Sequence, residues 1–576
     1  MFRSQRAAKR RANSLLKFID ANDSGEENDT KDERDDTKHD STCESDENSS
    51  SDEELPEVEE EMEETDNQGE KTEWKHEELE YLLQSFCPSP PETFTLEPDG
   101  DTAGGNFSKP IEFFHYFFPK GLISYITEQS NRYCLQKTGK TLDLTTDELK
   151  TFIGIYLYMG LVRQTNVRSY WEEATQVPQV ANAMSRNRFL RIARYLHFCD
   201  NLSVTSEEKK SKLWKIDPIL NVLRKKFLSV TPEERHAVDE MIIPYKGKTS
   251  PVRQYLPKKP HKWGFKVWSR CGESGYLYNF IVYQGKEDSL SSDKDLGIIG
   301  STVMKLCEGI PHHKGHKVYG DNPFTSLPLV KKLQDHGIYY LGTIRSNRLP
   351  HDASLKTEKE FAKERGAYDQ VSSEREKLPL VRWNDNRIVT LLSSYCGSEP
   401  LKEARRFDRT SKEFKIITMP HAVEEYNRFM GGVDKLDSLM GISRYSIISK
   451  RWYMYLFYYF VNVTVVNAWI SYKKNMSVHC LPQKDILLRH FIGQITSDLV
   501  HEQSKTVILR EHAKRARLSR DCEARFDGVD HLPIWAEKKG KCRLCPNNKT
   551  TFIKCKKCNV YLCFVRERNC FEAYHV

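Results

Sequence analysis

Four aspartates lie in sequence contexts where an acidic side chain is unusual unless it has a chemical role. Asp239 lies inside a short apolar run typical of a buried strand, and Asp321 ends a second strand-like run. Asp434 and Asp437 are three residues apart, so a helix there would place both carboxylates on one face. Carboxylate oxygens that converge from separate elements suit Mg²⁺, and a pair of such ions serves phosphoryl transfer.

The elements between residues 236 and 345 follow an order that could bring these acids together. Three strand-like runs come first, and a helix, a strand, a helix and a strand follow. This is the order of a ribonuclease H-like core, with one acid on the central first strand and one at the end of the fourth. Asp239 and Asp321 occupy those places. Glu424–Met440 predicts the closing helix, which carries the other two acids.

Structural explanations stay open for each acid taken singly. A strand aspartate can be the partner of a buried salt bridge, and Asp434 and Asp437 would both favour a helix N-terminus. Because all four acids also agree with one order of elements, we favour the metal site.

Helical segments precede and follow this core. Phe113–Leu135 and Leu149–Leu161 predict helices, the second preceded by the capping box Thr145-Thr-Asp-Glu148. Ser185–Cys199 predicts another, whose arginines would contact a phosphate backbone or lie on an ordinary amphipathic surface. Polar residues interrupt the long apolar run Trp452–Tyr472, so we expect a buried helix and no membrane span.

Charge is unevenly distributed along the 576 residues. Residues 21–70 carry 23 Asp and Glu against 3 Lys and Arg, which predicts a disordered acidic segment. About +26 remains on the rest of the chain, which favours a polyanionic partner over a merely soluble basic surface. The 15 cysteines without an apolar signal core predict an intracellular protein. The basic clusters Lys9–Arg11 and Lys514–Arg520 are candidate nuclear localisation signals.

A second group of chemically active residues lies near the C-terminus. Seven soft ligands have zinc-like spacing, namely Cys542, Cys545, Cys555, Cys558, Cys563, Cys570 and His575. This segment has too little apolar area to fold without metal, and seven ligands leave a second tetrahedral site one short. A single zinc site with spare thiols is the alternative.

Together these motifs resemble those of the piggyBac transposase family. The resemblance is carried by Ala237-Val-Asp-Glu-Met-Ile-Ile-Pro-Tyr-Lys-Gly-Lys, Tyr255-Leu-Pro-Lys-Lys-Pro-His-Lys-Trp-Gly-Phe-Lys, Gly320-Asp-Asn-Pro-Phe-Thr-Ser and Met430-Gly-Gly-Val-Asp-Lys-Leu-Asp. Supporting matches are Tyr195-Leu-His-Phe-Cys-Asp-Asn201 and Lys450-Arg-Trp452. The resemblance extends over nearly everything after residue 105.

The resemblance implies cut-and-paste DNA transposition. In the family, acids at the positions of Asp239, Asp321 and Asp434 bind two catalytic Mg²⁺ ions, and an acid at the position of Asp437 is also required. The implied partner is double-stranded DNA, cut at transposon ends through a hairpin intermediate and joined at TTAA targets by a homodimer. A cross-braced cysteine-rich domain with two Zn²⁺ ions contacts the ends in related transposases, and the family motif makes His531 the eighth zinc ligand.

The implied architecture is an α/β ribonuclease H-like core with an insertion, an all-helical dimerisation and DNA-binding domain, and a zinc module. The predicted boundaries are 1–104 for a disordered acidic region, 105–235 and 451–525 for the helical domain, 236–345 and 419–450 for the core, 346–418 for the insertion and 531–576 for the zinc module. Basic residues predicted to bind nucleic acid are Lys246, Lys248, Lys258, Lys259, Lys262, Lys266, Arg444, Lys450 and Arg451.

Two functions therefore remain open. The chain is either an active nuclear transposase or a domesticated descendant that binds DNA or chromatin without cutting, and the intact acids favour the first. A RING-type ligase rests on the cysteines alone and leaves the acids unexplained.

Overall fold

The computed structural model describes residues 74–76, 107–257, 259–285, 295–350, 352–361, 364–408, 411–445, 448–479, 485–511, 530–545 and 549–575. All of them belong to one compact unit, residues 71–576. The acidic segment 21–70, both basic clusters and Lys258 lie outside the described residues.

The helices are α1 (Pro110–Phe117), α2 (Lys120–Thr138), α3 (Thr146–Leu161), α4 (Pro178–Ala181), α5 (Arg186–Tyr195), α6 (Asp217–Leu228), α7 (Gly297–Leu306), α8 (Leu327–Asp335), α9 (Glu358–Phe361), α10 (His421–Phe429), α11 (Gly432–Ser443), α12 (Tyr453–Val478), α13 (Leu488–Glu511) and α14 (Cys570–His575). The strands are β1 (Arg235–Pro244), β2 (Gln254–Tyr255), β3 (Trp263–Gly272), β4 (Leu277–Val282), β5 (Lys317–Gly320), β6 (Tyr339–Thr343), β7 (Tyr368–Ser373), β8 (Leu378–Asn384), β9 (Ile388–Ser393), β10 (Lys402–Phe407), β11 (Phe414–Met419), β12 (Pro533–Lys541), β13 (Thr550–Cys555), β14 (Phe564–Val565) and β15 (Arg568–Asn569).

The main sheet is organised around β1, which pairs antiparallel with β3 and parallel with β5. On one side β3 also pairs with β2 and β4, and on the other β5 pairs in parallel with β6. The sheet then continues through β9, β8 and β7, because β9 pairs antiparallel with β6. Strands β8 and β9 form an antiparallel hairpin that extends the main sheet.

The apolar run Trp452–Tyr472 forms most of α12, and most of its side chains are buried. Two of its buried asparagines have partners inside the protein. The Asn467 amide exchanges two 2.9 Å hydrogen bonds with the backbone N–H and C=O of Leu277 in β4, and Asn462 donates to the Tyr156 hydroxyl at 2.7 Å. The prediction of a buried helix is confirmed, and none of the described helices is long and apolar enough to span a bilayer.

Two predicted helices are each divided in the structure. Phe113–Leu135 is interrupted before α2, because Pro119 has no N–H with which to continue the helical ladder. Glu424–Met440 was predicted as one helix, which is wrong: α10 ends at Phe429, and α11 begins after Gly431.

Helix α5 is the element predicted at Ser185–Cys199, and its arginines have different surroundings. The Arg188 guanidinium donates to the Glu148 carboxylate at 2.7 and 2.9 Å and to the Leu142 carbonyl at 2.8 Å. Glu148 also closes the predicted capping box with Thr145 at the start of α3. Arg188 therefore joins two helices, whereas Arg186, Arg191 and Arg194 are exposed.

Residues 74–76 correct the prediction that the whole region 1–104 is disordered. Trp74 is 6% exposed and packs in the apolar cluster beneath the main sheet. Its acidic, polar neighbours in the sequence gave no indication of this burial.

Candidate active site and zinc sites

Neighbouring parallel strands place Asp239 beside Asp321. The β1–β5 register pairs Val238 with Gly320, so the two aspartates are the next residues along both strands. The Asp321 carboxylate accepts hydrogen bonds from the Thr343 hydroxyl at 2.8 Å and from the Asn322 N–H at 2.7 Å. These bonds fix its orientation at the point where the chain leaves the sheet.

Helix α11 brings the other two acids to the same end of the sheet. Asp434 lies in its first turn, one turn before Asp437. The helix packs closely because Gly432 faces β1 and β3: a Cβ there would lie 2.8 Å from the Gly272 carbonyl and 3.2 Å from the Ala237 Cβ. The glycine motif thus permits the close approach that carries Asp434 toward Asp239.

The electrostatics of Asp239 show that the acids act on one another. The pKa of Asp239 is raised to about 6, mainly by burial and also by the Asp321 and Asp434 carboxylates, while the Glu240 N–H and Lys259 oppose the rise. Burial of its carboxylate among neighbouring protein atoms also raises the pKa of Asp437, and the Tyr459 hydroxyl, which donates to it at 3.2 Å, opposes the rise.

The aspartates do not form a compact ligand set. Among the described residues, the sets of three or more His, Cys, Asp or Glu whose ligand atoms lie within 4.8 Å of one another are the two C-terminal sets, and the aspartates form none. An all-oxygen donor set suits Mg²⁺, and a pair of ions about 3.5–4 Å apart needs a wider arrangement of ligands than one ion does. The chemistry of the donors therefore suits two hard cations.

Glu240 is a site residue that the sequence reasoning missed. Its carboxylate binds the Lys259 ammonium at 3.1 Å and the Lys266 ammonium at 2.8 Å. Both lysines were predicted to contact nucleic acid, but each has this internal partner. An acid directly after Asp239 was the available signal, although its partners lie 19 and 26 positions along the chain.

The other residues predicted to bind nucleic acid are divided between surface and interior roles. Lys246, Lys248, Lys262 and Lys450 are exposed. The Arg444 guanidinium lies 5.6 Å from the Tyr459 ring, and the Arg451 guanidinium donates at 2.6 Å to the carbonyls of Ala193 and Leu196 at the end of α5. Arg451 therefore stabilises that helix end.

The C-terminal module holds two interleaved ligand sets. The first set is Cys542, Cys545, Cys563 and Cys570, and the second is His531, Cys555, Cys558 and His575. The seven residues predicted from their spacing all belong to these two sets, and His531 is the fourth member of the second set. The alternation of the two sets along the chain is that of a cross-brace.

Ligand separations in both sets suit a tetrahedral ion. Cys545 Sγ lies 3.6 Å from Cys563 Sγ and 3.5 Å from Cys570 Sγ. In the other set, Cys558 Sγ lies 3.4 Å from both His531 Nδ1 and His575 Nε2. Zinc–sulfur bonds of about 2.3 Å at a tetrahedral angle place two sulfurs about 3.8 Å apart. The Cys₄ set could therefore bind zinc, and the mixed set has similar dimensions.

Backbone hydrogen bonds prepare these ligands. Burial opposes ionisation of the Cys542 thiol, but N–H groups of Cys563, Cys545 and Leu544 outweigh it and lower the pKa to about 7. The His575 Nδ1 bonds the Phe571 carbonyl at 2.6 Å, which leaves Nε2 facing the ligand set.

Comparisons with known proteins agree with this architecture. Residues 109–469 match the family described as Transposase IS4. PiggyBac transposable element-derived protein 3 of Homo sapiens is 31% identical over 478 residues, 81% of this chain and 76% of the relative. PiggyBac transposable element-derived protein 2 of Homo sapiens is 28% identical over 477 residues, with the same coverage. A cryo-electron microscopy structure of a piggyBac transposase synaptic complex with hairpin DNA has a TM-score of 0.60 and 23% identity, covering 80% of this chain and 95% of that chain. This mixed α/β fold is therefore similar to that of a piggyBac transposase.

Proposed function

Because this chain belongs to the piggyBac transposase family, we propose that it is a metal-dependent DNA transposase that cuts transposon ends and joins them to TTAA targets through a hairpin intermediate. The observation that carries the proposal is the convergence of Asp239, Asp321 and Asp434, whose charges raise the pKa of Asp239. Carboxylates that raise one another's pKa in this way are typical of a site that binds cations.

A ribonuclease H-like core is the finer fold assignment that we propose. Its support is the strand order β4-β3-β1-β5-β6, with β1 central, the first acid on β1 and the second after β5. Helix α11 then closes the site. Residues 346–418 would be the insertion, and the helices on either side would form the dimerisation and DNA-binding domain of a nuclear homodimer.

The protein's share in the reaction is positioning and charge neutralisation. Asp239, Asp321 and Asp434 would hold two Mg²⁺ ions, and Asp437 would support them from the next helical turn. When bound, such ions neutralise charge on the attacking and leaving oxygens of a phosphodiester. The exposed Lys262, with Lys259 beside Asp239, is placed to bind the phosphates that flank the scissile bond.

Recognition of DNA sequence would fall to the zinc module. Contacts with phosphates and metals carry no sequence information, so another surface must read the transposon ends. The structural relative was solved with hairpin DNA in a synaptic complex, which supports a double-stranded DNA partner for this chain. Two Zn²⁺ ions would hold the module in its folded form.

Binding of DNA or chromatin without cleavage is the second candidate. It is favoured by the names of the human relatives, which are described as transposable element-derived proteins. The intact acids favour the transposase, since binding alone does not require a two-cation site.

The test separates cleavage from binding on one duplex that carries the repeats flanking the gene. Asp239→Asn, Asp321→Asn and Asp434→Asn should each abolish strand cleavage, because each removes a metal ligand, and should leave DNA affinity nearly unchanged. The exposed Asp352→Asn serves as the matched control and should cleave normally. Cleavage that survives in any of the three would remove that residue from the site.

A further inference from the structure

A short segment of the N-terminal region forms an isolated β-bridge with the edge of the main sheet. The Lys75 N–H donates to the Ser372 carbonyl at 2.8 Å, and the Ser372 N–H donates to the Lys75 carbonyl at 2.6 Å. The ring nitrogen Nδ1 of His76 lies 3.1 Å from the Gln370 carbonyl and 3.4 Å from the Asp369 carboxylate. Residues 74–76 thus extend the sheet by an antiparallel bridge.

The tryptophan next to this bridge is an anchor. The Trp74 side chain is 6% exposed and lies in the same apolar cluster as Val371, Leu378 and Leu380. β7 is the last strand of the sheet, so its outer N–H and C=O groups need a partner or solvent. Strand addition at an edge, with one large side chain in a pocket, is a recurrent mode of peptide recognition.

The free energy that holds this segment is the balance of few contributions. One buried ring, one pair of backbone hydrogen bonds and the exposed contacts of His76 and Lys75 favour docking. Ordering of the segment opposes it, and so does the buried indole N–H of Trp74, which has no acceptor among the described residues. Because few contacts favour docking and the ordering of the segment opposes it, we expect both the docked and the released state to be populated.

We propose that the outer edge of β7 and its tryptophan pocket are a reversible docking site, whose occupant is the chain's own Trp74–His76 segment. Glu70, the last residue of the acidic segment 21–70, precedes Trp74 by four positions. Docking would therefore limit how far the acidic charges can move from β7, and release would lower their effective concentration there.

Hydrogen exchange on the unmodified full chain tests reversibility. The Ser372 amide should be protected, but at least about 100-fold less than amides of β9, which is paired on both sides. Protection equal to that of β9 would mean a permanent strand, and absence of protection would mean that the segment does not dock. Either result would overturn the proposal.

Two variants of the full chain test the anchor. Trp74→Ala should reduce protection of the Ser372 amide by about 10-fold or more and leave β9 unchanged. Lys75→Ala is the control, because that side chain is 48% exposed and its 3.9 Å ion pair with the exposed Glu374 should add little to docking. Equal exchange at Ser372 in both variants would exclude Trp74 as the anchor.

A peptide tests the identity of the occupant. A fluorescent peptide of residues 71–77 should bind Trp74→Ala protein at least about 10-fold more tightly than the unmodified chain, whose site is already occupied. The same peptide with alanine in place of tryptophan should not bind. Equal binding of both peptides would contradict a tryptophan pocket. None of these readouts depends on DNA cleavage, so failure here and failure of the proposed function are distinguishable.

Discussion

Asp239 holds a charge that its surroundings oppose. Its pKa is raised from 3.8 to about 6 by burial and then by Asp321 and Asp434. Because the folded-state pKa lies above the unfolded one, ionised Asp239 lowers stability at pH values above about 6. That cost decreases as the pH falls from 6 toward 4 and vanishes below the unfolded pKa.

Asp239→Asn should therefore stabilise the protein in the presence of a chelator. The gain should be up to about 3 kcal/mol at pH 8 and about a third of that at pH 4.5, at about 1.4 kcal/mol per pKa unit. Thermal melts of both proteins in EDTA at the two pH values measure it, with Asp352→Asn as the exposed control. A gain that does not change with pH would mean that the carboxylate charge is not its source.

Glu240 and Lys259 should influence cation binding in opposite directions. Lys259→Met removes a positive charge that acts on Asp239 and should tighten Mn²⁺ binding about 3- to 10-fold, as expected for one charge pair at an intermediate dielectric. Glu240→Gln removes a negative charge and frees Lys259 to approach the aspartates, so it should weaken binding by a similar factor. Calorimetric titration with Mn²⁺ measures both. Weaker binding in both variants would indicate general damage to the fold.

The site residues that could be predicted from the sequence are those whose neighbours along the chain indicate their role. Asp239 was found because an acid interrupts an apolar run, and Cys542 because a second thiol follows at zinc spacing. Glu240, Arg451 and Trp74 could not be assigned in this way. Their partners lie on distant elements, so only the folded chain shows that each has an internal role.

Among the elements, α11 depends on one close contact. Gly432→Ala would place a Cβ 2.8 Å from the Gly272 carbonyl and push the helix away from β1 and β3. We expect a loss of about 1–3 kcal/mol in unfolding free energy, as for other overpacked sites, together with weaker Mn²⁺ binding.

Gly441→Ala is the matched control in the same helix. A Cβ there meets no atom within 4 Å, so the change should stabilise α11 by about 0.5–1 kcal/mol and leave Mn²⁺ binding unchanged. Chemical denaturation and Mn²⁺ titration measure both effects. Equal effects of the two substitutions would mean that the close approach at Gly432 does not position Asp434.

The order of elements along the chain made the main sheet predictable. The ends of the helices were not predictable. The alternation of elements from β1 to β6 follows from hydrophobic patterns, which persist over whole strands. The break between α10 and α11 depends on Met430 and Gly431, and a glycine pair inside a helical pattern is compatible with continuation as well as with termination. Continuation of the sheet into β9 required the β6–β9 pairing, which no local pattern encodes.

Counting the zinc ions bound to the C-terminal module tests the assignment of His531. Native mass spectrometry should find two Zn²⁺ ions per chain, and His531→Ala should retain the ion of the all-cysteine set and lose most of the other. His479→Ala, at an exposed histidine outside the module, should keep both ions. Two ions retained in His531→Ala would mean that another group completes the second set.

For the whole molecule, we propose that the four aspartates hold the cations that catalyse DNA cleavage. The direct measurement is a denaturing gel of a duplex that ends in the element's own terminal repeat and TTAA, incubated with the full chain and Mg²⁺. We expect a nick at the transposon end, followed by a product whose two strands are joined as a hairpin, and we expect neither product in EDTA or with Asp239→Asn. An intact duplex that the protein binds tightly in Mg²⁺ would contradict it and establish the binding function instead.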